Sequence, residues 1–181
     1  MKRVFSIVLL IVLAVISGFY QEKLKVSVNY ILEQGQKHPE YYTLDVESRR
    51  AFDEQNRLNA PFDYYHNHTT VSWLYRFDEK ELSLLKWAIT GSFIGWFLAL
   101  NMLILKVLHV NENAFRMLPW IYLILTILSL VVYAAGMGFL DKQHCYAVSR
   151  KIMGALQSVI PAFVMWPAAR LWDYSKSNDI S

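Results

Sequence analysis

A chain of 181 residues that is 55% hydrophobic, 15% aromatic and only 18% charged lies well to the apolar side of soluble globular domains. A formal charge of +3 without any Lys/Arg block excludes the electrostatic footprint of a nucleic-acid partner, and a single cysteine, Cys145, excludes an internal disulfide framework or a cysteine zinc cluster. The composition implies an all-α integral membrane protein in contact with the lipid bilayer.

Residues 1–20 begin with Lys2 and Arg3 and continue as VFSIVLLIVLAVISGFY, an uncharged run that just reaches the length a spanning helix needs. The basic start and the small residues Ser17 and Gly18 imitate a cleaved signal peptide, but Phe19 and Tyr20 suit an interfacial anchor, so a retained signal anchor is expected.

Residues 21–80 are polar but patterned. Leu24, Val28, Ile31 and Leu32 recur at helical spacing, which predicts that the first helix continues as an amphipathic extension until Gly35 stops it. After the turn at His38 and Pro39, a short helix is predicted over 45–58, with Asp45 as its cap and Val46, Phe52 and Leu58 as a sparse apolar side. Asn59, Ala60 and Pro61 end it.

Asp78 followed three residues later by Glu81 is a capping box, so the second span starts near Glu79; it is uncharged from Trp87 to Leu105. Gly91 and Gly95 form a GxxxG pair, which allows another helix to approach closely where lipid supplies no hydrophobic drive. The third span is predicted over 117–140, with Asn111 or Asn113 as the preceding cap and Pro119 in its first turn. The stretch DKQHCYAVSRK reads as a loop, and the fourth span as 152–172. There Gly154, Ser158 and Ala162 recur every four residues as a packing face, and Pro161 and Pro167 bend the helix. Spans two to four thus fill 81–176, and 177–181 is a polar tail.

The sequence therefore predicts a four-helix membrane bundle with a partly helical loop between its first two helices. Lys2 and Arg3 argue for cytoplasmic termini and an extracytoplasmic 21–80 loop in a bacterial-type inner membrane, although Lys23, Lys25, Lys142, Arg150 and Lys151 weaken the asymmetry.

Four sets of residues carry candidate chemistry. His66 and His68 project to one side of an extended segment and, with Asp63, could hold a divalent metal, though this set is one ligand short of a closed site. The bland alternative is an interfacial loop whose polar side chains bond to backbone and headgroups; the sequon Asn67, His68, Thr69 lies in the same stretch. Tyr64, Tyr65, Trp73, Tyr75 and Phe77 fit a ligand cradle less well than an aromatic boundary belt. Gln157 and Arg170 are the intramembrane polar residues of most interest, the first suited to an interhelical hydrogen bond and the second to snorkelling. His109 and His144 fall in loops on opposite membrane faces and so cannot share one haem, while adjacency of His144 to Cys145 is not the geometry of a nucleophile and its base.

No complete catalytic set and no charged pathway emerge, and no cofactor is implied beyond the divalent metal. The expected role is a non-enzymatic accessory or scaffold subunit that binds other membrane subunits, or a second copy of itself, through its small-residue faces and loop. The competing readings are a membrane-surface metalloenzyme using Asp63, His66 and His68 on a lipid-linked or envelope substrate, and a small transporter with a cavity beside Pro161 and Gln157.

Overall fold

The computed structural model describes residues 2–59, 71–138 and 141–178, with side chains for all of these except Lys2, 57–59, Ala114 and 172–178. The described residues form six helices, α1 (Lys2–Lys37), α2 (Val46–Asn59), α3 (Glu79–Val107), α4 (Glu112–Gly138), α5 (Lys142–Leu156) and α6 (Ile160–Asn178), with 3-10 turns over Pro39–Thr43 and Ser72–Arg76. They contain no strand.

The protein is an all-α membrane bundle. Helices α1, α3 and α4 are each long and apolar enough to cross a bilayer, and α5 with α6, bent by 67° at their junction, passes as a fourth span when the two are taken together. Large apolar side chains stand outward in runs, Val4, Phe5, Val8, Leu9 and Val12 on α1 and Ile124, Ile127, Leu128 and Val131 on α4. Such surfaces suit lipid rather than water.

The chain divides into two compact units, one of 1–18 with 93–181 and one of 19–92. In the first, α1 runs antiparallel to the second half of α3: the Trp96 indole donates to Ser17 Oγ at 2.9 Å, Ala14 packs with Phe97 and Leu100, and Leu10 packs against the cluster of Ile104, Leu105, Leu118, Tyr122 and Leu156. The α4 and α5 helices form a hairpin. Gly136 lets the Cys145 side chain approach so closely that a Cβ on the glycine would lie 2.5 Å from it, and further along Ser129 and Ser149 join at 2.8 Å. At the end of α5 the Tyr122 hydroxyl reaches Leu156, and beyond it Met165, Ala168 and Ala169 of α6 lie across a cavity from Met117 and Trp120. The bent pair therefore meets α4 at both ends, an arrangement that suits one broken span.

In the unit of 19–92, the predicted extension of α1 buries Leu24, Val28 and Ile31, and the helix runs two residues beyond Gly35. Gly35 is needed there. The Tyr42 ring sits where its Cβ would be. Asp45 caps α2 by accepting from the Ser48 N–H at 2.7 Å, and the Asp78 and Glu81 carboxylates reciprocally bond each other's backbone N–H at 2.8 and 3.0 Å, starting α3 at Glu79 as the sequence predicts.

Three details differ from expectation. First, α4 begins at Glu112, directly after Asn111, one of the two predicted cap positions, but ahead of 117, so Pro119 lies inside the helix and not in its first turn. Second, DKQHCYAVSRK is not a loop: Asp141 caps α5 by accepting from the N–H groups of Gln143 and His144, and the helix runs through that segment. Third, the fourth span is interrupted over 157–159, so Gly154, Ser158 and Ala162 do not form one continuous stripe. The cause is Pro161, which lacks the N–H that Gln157 would need and disfavours helical geometry at Ile160 before it.

Candidate functional site

Two polar constellations organise the structure, one in each unit. In the unit of 19–92 it is Arg49 on α2. Its guanidinium donates to the carbonyls of Leu44 (2.9 Å), Tyr42 (2.8 Å), Tyr75 (3.2 Å) and Phe77 (3.1 Å), and it lies over the rings of Tyr41 and Tyr42. The first two carbonyls lead into α2, the others belong to the turn before α3, so a planar fork with five donors ties two irregular segments together. One helical turn on, Asp53 is fully buried and accepts from the Tyr41 hydroxyl at 2.8 Å. Burial, and then the charge of Asp53, push the Tyr41 phenol well above its ordinary range; burial and the nearby Glu79 push that of Tyr42 up to about 12. Hydrogen bonds from Ser48 hold the Asp45 carboxyl below the usual carboxylate range.

Of the predicted apolar side of α2, Phe52 packs edge-on against His38 and Tyr41, Val46 is 41% exposed and the Leu58 side chain lies outside the described residues; the side that faces inward also carries Arg49 and Asp53. A residue pair four apart, of opposite charge, reads in sequence as a solvated ion pair; here each member instead serves backbone and tyrosine.

The second constellation lies at the break between α5 and α6. An intact helix would join the Ser158 carbonyl to the Ala162 N–H. Asn101 of α3, fully buried, takes both ends of that missing bond: its Nδ2 donates to Ser158 O at 2.8 Å and its Oδ1 accepts from Ala162 N at 2.9 Å. The remaining capacity of Nδ2 is shared between Phe97 O at 2.8 Å and Tyr122 Oη at 2.9 Å. Tyr122 in turn donates to Leu156 O at 2.8 Å, and the Ser158 hydroxyl accepts from Ile160 N at 3.2 Å. The Leu156 and Ser158 carbonyls and the Ile160 and Ala162 N–H groups at the break are thus met by protein, the condition for non-helical backbone at membrane depth. Sequence reasoning missed Asn101 because it hides in a run that contains no charge; an amide opposite a proline-broken span was the available signal.

The other predicted positions are scattered. Asp63, His66 and His68 lie outside the described residues, as do Tyr64, Tyr65 and Asn67. Among the described residues no three His, Cys, Asp or Glu side chains are grouped to hold a metal ion. Gln157 is buried in the break and Arg170 is exposed near the end of α6. Cys145 is buried against Gly136, as a small apolar residue would be. Gly91, Gly95 and Gly154 are all exposed, and a Cβ on any of them would meet none of the described residues within 4 Å. His109, on the turn after α3, takes a left-handed φ of 52° and closes the helix with bonds from its own N–H to Lys106 O and from Val110 N to Leu105 O.

Two surface cavities flank the α4 start. One of about 480 Å³ is walled by Asn111, Asn113, Arg116, Met117 and Trp120 of the α4 end and by Met165, Ala168 and Ala169 of α6; another of about 400 Å³ is lined by Lys106, His109, Val110, Glu112 and Phe115. Neither lining includes Gln157 or Pro161.

Comparison with protein-family models, curated proteins and solved structures gives no match.

Proposed function

We propose that the protein is a small multi-pass membrane subunit that scaffolds a larger assembly, receiving a helix of a partner membrane protein on the glycine side of α3. The observation that carries this reading is the open face at Gly91 and Gly95. They sit one helical turn apart and are exposed, with room for a Cβ at both. A GxxxG pair is useful where another backbone comes close, and among the described residues nothing lies within 4 Å of a Cβ at either glycine. At the α5–α6 break four backbone groups are bonded to Asn101, Tyr122 and Ser158, which favours a structural role for that region over a solute pathway. Orientation follows the basic N-terminus, with both ends of the bundle cytoplasmic.

The test is isolation in native lipid nanodiscs, with the wild type compared with a Gly91→Leu, Gly95→Leu double variant. The reading predicts one membrane protein recovered at fixed stoichiometry with the wild type and lost with the variant, while the variant's own thermal unfolding is unchanged, since a Cβ at either position meets no described atom within 4 Å. Recovery of a lone wild-type chain, or a companion retained by the variant, contradicts it.

A further inference from the structure

The larger cavity has the chemistry of a lipid site. We propose that the groove between the start of α4 and the middle of α6 binds an anionic phospholipid, with the phosphate on Arg116 and an acyl chain along Met117, Trp120, Met165 and Ala168.

The groove's composition grades along its length. Asn111, Asn113 and Arg116 belong to the polar start of α4, just ahead of or at the first residues of its membrane-spanning stretch, and Met117, Trp120, Met165, Ala168 and Ala169 follow on the apolar side. This order, cation and amides first and hydrocarbon after, is the order of a phospholipid from headgroup to tail. Ala168 and Ala169 supply small side chains on the α6 wall, leaving room for a chain, and the volume of about 480 Å³ lies within the usual span for ligand sites, about 300–1,000 Å³. A tryptophan at this depth suits the headgroup boundary, with its ring against lipid; Trp120 is 64% exposed.

Charge selects the headgroup. The antiparallel run of α1 and α3 places Arg3 at the end where Lys106 and His109 lie, and Arg116 and Arg170 belong to that end as well. Among the described side chains there, Glu112 is the acidic one, and it ion-pairs with Arg116 at 3.3 Å. Both partners are largely exposed, so that pair is weak and a phosphate can displace or share it. A basic pocket between spanning helices at one membrane face attracts anionic headgroups over zwitterionic ones, and a guanidinium offers phosphate two parallel donors.

The full chain, delipidated in mild detergent, is titrated with phosphatidylglycerol and with phosphatidylcholine, and binding is read by native mass spectrometry and thermal shift. Phosphatidylglycerol is expected to bind about fivefold or more tighter than phosphatidylcholine, the factor one basic residue contributes at an anionic headgroup. Arg116→Gln should reduce that preference about fivefold and keep the fold, because its side chain is exposed. Ala168→Trp, which fills the groove, should weaken both lipids. Equal affinity for the two lipids, an unaltered preference in Arg116→Gln, or stabilisation by inorganic phosphate alone as large as that by phosphatidylglycerol would each overturn the assignment.

Discussion

Arg49 and Asn101 perform the same task in different surroundings. Each is a side chain that binds backbone groups which regular structure leaves over, Arg49 at four carbonyls around the turns beside α2 and Asn101 at both sides of the break between α5 and α6. In the polar unit of 19–92 a charged group performs it, half-buried and within reach of water. At membrane depth a neutral amide does so, because a guanidinium there would add the cost of a charge in hydrocarbon to any bonds it made. The amide has a second merit. It both donates and accepts, so it can replace a carbonyl and an N–H at once, whereas a guanidinium only donates.

The strongest challenge to that comparison is Arg49→Ala. It leaves carbonyls of Tyr42, Leu44, Tyr75 and Phe77 without this donor and should destabilise the unit of 19–92 by about 3 kcal/mol, the scale for losing a charged donor to several partly buried acceptors. Arg49→Lys should recover less than half of this, since an ammonium cannot match a planar fork. Hydrogen exchange at 41–44 and 75–77 reads the loss locally, and unchanged protection there would remove Arg49 from its assigned role.

Next in size is Asn101→Leu, expected to cost about 2 kcal/mol in detergent unfolding, since interhelical hydrogen bonds in membranes contribute roughly 0.6 kcal/mol each and a broken backbone pair is exposed as well. Asn101→Lys should be worse than Asn101→Leu. If the charged variant were the milder, the argument from lipid surroundings would fail.

A smaller effect separates the two units by pH. In the unit of 19–92 the Tyr42 phenol is pushed up to about 12 by burial, so its stabilising neutral form is fully present below the unfolded value near 10 and its contribution is lost as pH rises from there towards 12. The loss should be about 1 kcal/mol after allowance for partial exposure, and Tyr42→Phe should flatten it. Alkaline unfolding of wild type and variant with the same slope would contradict this.

Smallest is Tyr122→Phe, which removes one donor from the Leu156 carbonyl and should cost about 0.6 kcal/mol. A loss as large as that of Asn101→Leu would mean that the tyrosine, and not the asparagine, carries the break.

What was legible in the sequence follows from how local each signal is. The capping box at Asp78 and Glu81, the Asp45 cap and the Leu24, Val28, Ile31 spacing depend on residues within two helical turns, and all are present in the structure. The helix break was foreshadowed by Pro161 but read as a bend, because whether a proline kinks or interrupts depends on partners far along the chain. Asn101 is 57 positions from Ser158, and nothing near it announces that separation. Arg49 was hidden for a related reason: a charged residue on a polar helix reads as solvated, and its carbonyl partners at Tyr75 and Phe77 lie across a long stretch of chain.

The most direct test of the architecture is the side of the membrane reached by each end of the α5–α6 pair. In a Cys145→Ala background, single cysteines at Glu112, Asp141 and Arg170 are labelled with an impermeant maleimide in sealed vesicles of known orientation. A broken span predicts that Arg170→Cys labels from the same side as Glu112→Cys and from the side opposite to Asp141→Cys. Labelling of Arg170→Cys together with Asp141→Cys would make the pair re-entrant and contradict the four-span bundle.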